Sequence, residues 1–284
     1  MKSLYLIRGC PGSGKTTKAR ELMKQHGNFV RLNKDELREM LHVGDWSGWK
    51  EKITKGIEYK TAQNLLRGGY NVIIDDTNLR GKDENTWKDI AKKNNAEFQV
   101  VDVDTDVFEC LSRDINRSRK VGYNVIMKMA LKSRRYQSRK KFVLVDIDGT
   151  LANIEHRKHF VEQDPKDWKG FFNAMDEDTL REDTVKLVEE ALLGYELWLV
   201  SGRPNTYRSK TIQWMKKQGI MQYFAGLIMR DETDKRPDTD TKRDIMNCFG
   251  VENIAYVIDD RPSVIRMWEE NGVKVIDVGN GTEF

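Results

Sequence analysis

Short apolar runs alternate with amphipathic stretches along the whole chain. In the first half, Leu4–Ile7, Phe29–Leu32, Val72–Ile74 and Phe98–Val101 are apolar blocks of strand length. Between and after them, apolar positions recur at helical spacing near 16–25, 36–42, 48–67, 83–94, 106–117 and 124–138. Short apolar blocks predict buried strands, and a 3.6-residue period predicts helices. Their alternation predicts an α/β fold with a parallel sheet wrapped by helices, whose ligands sit at the carboxyl ends of the strands.

A strongly basic stretch, Lys132 to Lys141, runs into a new apolar strand at 142–147. The domain boundary is placed there, giving residues 1–141 and 142–284. The second half repeats the alternation, with strands at 142–147, 196–200, 226–229, 254–258 and 274–278 and helices near 183–193, 206–218, 241–249 and 263–271. A chain of 284 residues is long enough to bury two cores. The Asp164-Pro165-Lys166-Asp167-Trp168-Lys169 segment reads either as part of a small cap over a site or as a helix start.

Composition adds class and charge. Charged residues are 33% and hydrophobic residues 38% of the chain, and the apolar residues fall in regular blocks, as in a globular enzyme rather than a disordered chain. No stretch approaches the ~20 apolar residues of a membrane span, and Met1-Lys2-Ser3 leads into a strand rather than a signal segment, so a cytoplasmic location without membrane contact is expected. Cys10, Cys110 and Cys248 are far apart and lack metal-ligand spacing. The net charge of +4 conceals an asymmetry: residues 1–141 hold 30 basic and 18 acidic side chains, residues 142–284 hold 19 and 27. A basic half suits a polyanion such as nucleic acid, and an acidic half suits a site that concentrates Mg²⁺; solvated helix faces account for part of both.

Gly9-Cys10-Pro11-Gly12-Ser13-Gly14-Lys15-Thr16 satisfies G-x-x-x-x-G-K-[ST] between a strand and a helix. Glycines let backbone N–H groups curl around phosphates, Lys15 reaches the β/γ-phosphates, and the Thr16 hydroxyl can ligand Mg²⁺. ATP is the expected ligand, held by Gly9, Gly12, Ser13, Gly14, Lys15, Thr16 and Thr17. Asp35 follows the strand Phe29–Leu32 and reads either as a base for an acceptor hydroxyl or as a helix N-cap, with Arg38 one turn on. Asp75-Asp76-Thr77-Asn78 is either an acidic position supporting the metal or turn chemistry. Arg113 to Lys120 puts several cations on a helix end, either a lid over the transferring phosphate, with Arg113 and Arg117, or a solvated basic end.

In the second half, Phe142 to Leu151 is an apolar strand ending in D-x-D-G-T. A period of two directs Asp146 and Asp148 to one face, where a cation such as Mg²⁺ would relieve their repulsion. The motif resembles the haloacid dehalogenase superfamily, which implies a Rossmannoid domain with a small cap, Asp146 as nucleophile and Asp148 as general acid/base. The superfamily's remaining motifs follow in order. Ser201-Gly202-Arg203 ends a strand, Lys242 is placed to neutralise the phosphoryl group, and Asp259-Asp260-Arg261 supplies metal-binding acids.

A P-loop kinase half followed by a D-x-D-G-T phosphatase half resembles the bacteriophage-type bifunctional polynucleotide 5′-kinase/3′-phosphatases over nearly the whole chain. The resemblance implies Lys15 for the phosphate donor, Thr16 and Asp76 for the metal, Asp35 as general base, Arg38 for the acceptor phosphate and Arg117, with Arg113, as lid. On the phosphatase side it implies Asp146, Asp148, Arg157, Ser201, Arg203, Asp238 and Lys242 as catalytic residues, with Asp146, Asp148, Asp259 and Asp260 as metal ligands. The segment after Ser-Gly-Arg is shorter than the resemblance implies, so no role is carried to Arg208.

The expected activity is transfer of the ATP γ-phosphate to a 5′-hydroxyl of RNA or DNA and removal of a 3′-phosphate, with 2′,3′-cyclic phosphate a further candidate. The resemblance also implies a functional link to a nucleic-acid ligase and a homo-oligomer. Two alternatives use the same motifs: a kinase/phosphatase of nucleosides, sugars or cofactors, and a non-enzymatic nucleic-acid-binding NTP switch.

Overall fold

The computed structural model describes residues 2–117 and 119–283; Ser118, within the basic stretch read as a lid, lies outside the described residues. The chain divides into two compact units, Met1–Tyr136 and Gln137–Phe284. The division falls inside the basic stretch before residue 142. No helix among the described residues is long and apolar enough to cross a membrane.

The first unit runs β1 (Ser3–Arg8), α1 (Lys15–Gln25), β2 (Phe29–Leu32), α2 (Lys34–His42), α3 (Gly48–Arg67), β3 (Asn71–Asp75), α4 (Gly81–Lys93), β4 (Glu97–Asp102), α5 (Val107–Ile115) and α6 (Tyr123–Lys132). Its sheet is parallel, in the order β2-β3-β1-β4. Both faces are covered, which is why β1 and β3 read as continuous apolar runs. Alternate residues of β1 divide between the faces: Leu4 and Leu6 pack with Ala62 and Leu66 of α3 and Trp87 of α4, while Ile7 packs with Ala19 of α1. The phosphate loop, the start of α2 and the Asp75–Asp76 pair therefore all lie at the carboxyl ends of β1, β2 and β3.

Two helices differ from the sequence pattern for local reasons. The start of α2 is set by Asn33, whose side chain accepts the Glu36 N–H at 3.0 Å. The expected helix at 124–138 stops at Lys132, because the Arg135 and Tyr136 N–H groups both donate to Ala130 O and Arg134 takes a positive φ of 57°. Arg135 then ties the turn to Asp102 and Asp104 at the end of β4.

The second unit runs β5 (Phe142–Val145), β6 (Ala152–Asn153), α7 (His159–Glu162), α8 (Trp168–Asn173), β7 (Thr179–Leu180), α9 (Glu182–Leu192), β8 (Glu196–Pro204), α10 (Arg208–Lys217), β9 (Gly226–Arg230), α11 (Asp238–Phe249), β10 (Ile254–Asp259), α12 (Pro262–Glu270) and β11 (Val275–Asp277). Its main sheet is parallel, in the order β11-β10-β5-β8-β9. Val143 and Val145 of β5 join Leu197, Leu199, Trp214 and Val188 in one core cluster, and Phe142 packs edge-on to Phe249 of α11. The short antiparallel pair β6–β7 brackets α7 and α8 as an insertion between β5 and α9. The Asp164–Lys169 segment leads into α8, whose N-cap is Asp167, accepting the Gly170 N–H at 2.8 Å.

Candidate active sites

Backbone geometry dictates the phosphate loop. Gly12 and Gly14 take φ values of 82° and 95°, open to glycine but strained for other residues. A Cβ at Gly12 would also stand 2.4 Å from the Cys110 carbonyl oxygen. Lys15 Nζ donates to Cys10 O at 2.7 Å across the loop. Burial pulls the Lys15 ammonium below its ordinary pKa, against the opposing charge of Asp75.

Lys15, Thr16, Asp35, Arg38, Arg113 and Arg117 line one cleft of about 970 Å³, as do Gly12, Gly14, Thr17, Asp75 and Asp76. Gly9 and Ser13 support the loop from behind: the Gly9 N–H donates to Thr77 O, and the Ser13 N–H to Cys10 O. Asp35 is not the helix cap, a place Asn33 takes. Its side chain stands 80% exposed in the first turn of α2, with one oxygen 2.6 Å from Arg38 Nη1. Arg38 is held from the other side by Glu51 of α3, at 2.8 Å. Arg113 donates to Gly12 O at 3.2 Å, so it reaches the phosphate loop. Arg117 lies 3.7 Å from Asp114, a buried carboxylate that also accepts the N–H groups of Val121 and Gly122 at the start of α6.

Each of the two strand-end acids has one buried oxygen, Asp75 Oδ1 and Asp76 Oδ2, without a hydrogen-bond partner. Asp76 accepts the Lys34 N–H at 2.9 Å and is buried beside Glu58, with its carboxyl pushed up by burial against the pull of Lys34. Asp75 holds Arg31 through one oxygen at 2.7 Å, while its other oxygen is buried without a hydrogen-bond partner. An open carboxylate oxygen in a phosphate-binding cleft fits a nucleotide-bound divalent cation, so the donor set available there is Thr16 with Asp75 as well as Asp76.

The second site gathers at the ends of β5, β8 and β10. Asp146, Asp259 and Asp260 bring one oxygen each within 4.8 Å of one another, all buried. Lys242 from α11 sits among them, its Nζ 2.8 Å from both Asp146 and Asp259 and 3.6 Å from Asp238. These carboxylates overcome the effect of burial and hold the Lys242 ammonium above its ordinary pKa. Burial pushes the Asp146 carboxyl well up; Lys242 opposes this, while Asp259, Asp260 and Asp148 reinforce it. Three buried acids against one lysine is a set that a divalent cation would complete, and its all-oxygen chemistry fits a hard ion. Gly149, with φ 84°, makes room for the Asp260 carboxylate: a Cβ there would lie 2.1 Å from Asp260 Oδ2.

Asp148 departs from the expectation that both strand-end aspartates would face a metal. Pairing in β5 ends at Val145, and beyond it the Asp148 carboxylate is clasped by Arg203, through Nε at 2.8 Å and Nη2 at 2.7 Å, and by Arg157 Nη2. Two guanidinium groups relieve its charge. Behind them Asp178, fully buried, accepts Arg157 Nε at 2.6 Å and Arg203 Nη2 at 3.2 Å, with His156 Nε2 at 2.9 Å. Ser201 is buried and its hydroxyl accepts the Arg203 N–H at 3.1 Å. Asp238 is bonded by Arg230 at 2.9 Å, with Arg261 at 3.5 Å. Asp146, Asp148, Arg203, Asp238, Lys242 and Asp260 line one cavity of about 420 Å³, while Ser201 and Arg157 support it from outside that lining.

Sequence reasoning missed Asp178, Glu58, Glu51 and Thr150, whose hydroxyl donates to Asp260 at 2.8 Å. Glu58 had a usable signal. It shares the buried stripe Thr54, Glu58, Ala62, Leu66 at four-residue spacing on α3, where an acid is out of place. Asp178 lies in a run of acids with no periodicity, and nothing local marks it.

A phosphate loop facing acids and arginines in one unit, and an acid cluster around a buried lysine in the other, define a chain with two centres for phosphoryl chemistry. Residues 4–136 match the family model described as an AAA domain. Residues 140–283, half of the chain, match the model described as the polynucleotide kinase PNKP phosphatase domain, and the chain belongs to that family. These matches imply ATP and a divalent cation. A relative in Autographa californica nuclear polyhedrosis virus, described as a bifunctional polynucleotide kinase/RNA ligase, is 27% identical over 95% of this chain and 41% of its own length. The chain thus spans about two fifths of that relative. Among solved structures, a chain of the Pnkp1/Rnl/Hen1 RNA repair complex gives a TM-score of 0.43 at 24% identity, over 99% of this chain and 97% of that one. A haloacid dehalogenase-like hydrolase from Streptococcus pneumoniae gives 0.36 at 15% identity, over 51% of this chain and 88% of that one.

Proposed function

We propose that the chain heals broken nucleic-acid ends, adding a phosphate from ATP to a 5′-hydroxyl in its N-terminal half and removing a 3′-phosphate in its C-terminal half. In the first reaction the loop amides and Lys15 hold the donor phosphates. Asp35 takes the proton of the acceptor hydroxyl, Arg38 holds the neighbouring backbone phosphate, and Arg113 and Arg117 balance the charge of the moving phosphoryl group.

In the second reaction Asp146 attacks the 3′-phosphate, forming an aspartyl-phosphate, and Asp148 gives a proton to the departing 3′-oxygen. Water then attacks the phosphorus, losing its proton to Asp148, and inorganic phosphate leaves Asp146 free. Lys242 screens the charge between nucleophile and phosphate. A divalent cation, Mg²⁺ in this reading, held by Asp146, Asp259 and Asp260, supplies charge neutralisation at the phosphate. Asp148 must hold a proton for its first step, whereas Arg157 and Arg203 keep it ionised at rest. An incoming phosphate dianion brings negative charge into the cavity that Asp148 and Arg203 line, and that charge raises the proton affinity of Asp148 when substrate is bound.

What supports the reading is the convergence of Lys15, Asp35, Arg38 and Arg117 on one cleft in a chain whose other half belongs to a polynucleotide kinase phosphatase family. The products, a 5′-phosphate and a 3′-hydroxyl, are the ends a ligase consumes, in keeping with the ligase in the name of the viral relative. The test uses oligonucleotides with 5′-hydroxyl and 3′-phosphate ends, in RNA and DNA, incubated with ATP and Mg²⁺. Gain of the 5′-phosphate and loss of the 3′-phosphate are expected; equal phosphorylation of free nucleosides overturns the polynucleotide assignment.

A further inference from the structure

The cavity that holds Asp146, Asp148 and Lys242 has an aromatic wall that none of the phosphoryl chemistry uses. Trp168, Phe171 and Phe172 of α8 line it. Trp168 is 42% exposed, and Lys166 Nζ lies 5.6 Å from its ring centroid. Phe172 stacks on it with ring centroids 6.0 Å apart and planes at 25°, and Phe171 meets it edge-on at 5.9 Å.

The wall is fixed to the reacting groups. The Arg157 guanidinium lies 4.1 Å from the Phe171 ring centroid and its Nη1 donates to Phe171 O at 3.2 Å, while its Nη2 bonds Asp148. One buried arginine thus sets the place of α8 relative to Asp148. A rigid aromatic face at a set place from a phosphate-handling aspartate is what a planar base needs when the phosphate on its own sugar is the reacting group. Stacking tolerates any base, as an enzyme acting on ends of arbitrary sequence requires. Lys235, exposed on the same cavity, adds a cation for an adjoining backbone phosphate.

We propose that Trp168 is the stacking platform for the base of the 3′-terminal nucleotide, and so the residue that makes this half select a nucleotide end over other phosphomonoesters. The inference rests on the 3′-phosphatase reading and adds how its substrate is chosen.

The test compares two oligonucleotide 3′-phosphates that differ only in whether the terminal sugar carries a base or is abasic. The wild type is expected to prefer the base-bearing end by ~10- to 100-fold in kcat/KM, mostly through KM, the range that one stacked base supplies. Trp168→Ala should bring that ratio close to one, and Trp168→Phe should restore part of it. A ratio is insensitive to general loss of folded protein, which lowers both rates together. Equal use of the two ends by the wild type, or an undiminished preference in Trp168→Ala, overturns the platform. Hydrolysis of neither end alongside hydrolysis of a sugar phosphate overturns the 3′-phosphatase reading itself, and the platform with it.

Discussion

Asp146 and Asp148 stand two residues apart at the end of one strand, and the fold gives their carboxyl groups opposite environments. Asp146 shares its space with Asp259 and Asp260 and has Lys242 at 2.8 Å, so burial and like charge push its carboxyl well up. Burial acts on Asp148 too, but Arg203 and then Arg157 outweigh it and hold that carboxyl well below the usual carboxylate range. In the proposed reaction the carboxylate assigned as nucleophile is the one whose charge a divalent cation would stabilise, and the one assigned as acid/base is the one whose proton affinity a bound phosphate would raise.

The contrast predicts opposite stability effects in protein freed of divalent metal. Asp148→Asn leaves Arg157 and Arg203 sharing Asp178 alone and should cost the C-terminal half about 3 kcal/mol at pH 7. Asp146→Asn relieves crowding among acids and should raise its thermal midpoint by a few degrees, for about 1 kcal/mol. The signs follow from linkage. The folded pKa of Asp148 lies below its unfolded value of about 3.9, so its contribution is complete above about pH 4 and fades as pH falls through the folded value. The raised pKa of Asp146 makes its cost grow as pH climbs above about 3.9, so the gain from Asp146→Asn should be present at pH 7 and small near pH 4. Thermal unfolding in chelator at both pH values checks this; matching losses in the two variants would contradict it.

The two activities should separate by mutation. Asp35→Ala removes the exposed carboxylate beside Arg38 and should lower kinase activity by at least about 100-fold while sparing 3′-phosphate release. Asp146→Ala should abolish the phosphatase and spare the kinase. Parallel assays on one doubly labelled oligonucleotide decide the matter, and loss of both activities in either variant would refute two independent sites.

How much was legible beforehand depended on whether the information was local. The parallel sheets followed from apolar runs in β1, β3 and β5, because strands covered on both faces have no polar side to obscure them. The phosphate loop and the D-x-D-G-T strand end were readable because each is one turn of backbone whose glycines answer to geometry at that place. The orientation of Asp148 was not readable. Periodicity directed it with Asp146, but it is set by Arg157 and Arg203, nine and 55 residues further along the chain. Asp178 and Glu51 stayed hidden for the same reason, since each holds an arginine that the fold brings to it from elsewhere in the chain. Residues 152–182 carried no strong period because α7 and α8 are only four and six residues long.

Gly149 offers a steric test of the acid cluster. With φ at 84° and a Cβ that would stand 2.1 Å from Asp260 Oδ2, alanine there must displace Asp260 or the turn. Gly149→Ala should therefore cost ~1 kcal/mol or more from backbone strain alone. It should also weaken divalent-cation binding and slow 3′-phosphate release, while kinase activity is unchanged. Isothermal titration with Mg²⁺ and paired activity assays measure both; unchanged cation affinity would mean that Asp260 does not depend on this glycine.

Glu58 gives the N-terminal half its own pH dependence. Burial first, and then the charge of Asp76, push its carboxyl up to about 9. The unfolded value is about 4.3, so between those limits the folded chain keeps a proton that the unfolded chain has lost, and stability falls as pH rises. One proton corresponds to at most about 1.4 kcal/mol per pH unit. Glu58→Gln keeps the shape without the titration. With metal chelated, it should flatten the decline in thermal midpoint of the N-terminal half between pH 6 and pH 8.5 and leave that half more stable than wild type at the upper end. Glu58→Ala should instead lose stability at every pH, because it opens a cavity beside Asp76 and Lys34. Parallel pH profiles for wild type and Glu58→Gln would show that Glu58 is already ionised at neutral pH, with Lys34 as its counter-charge.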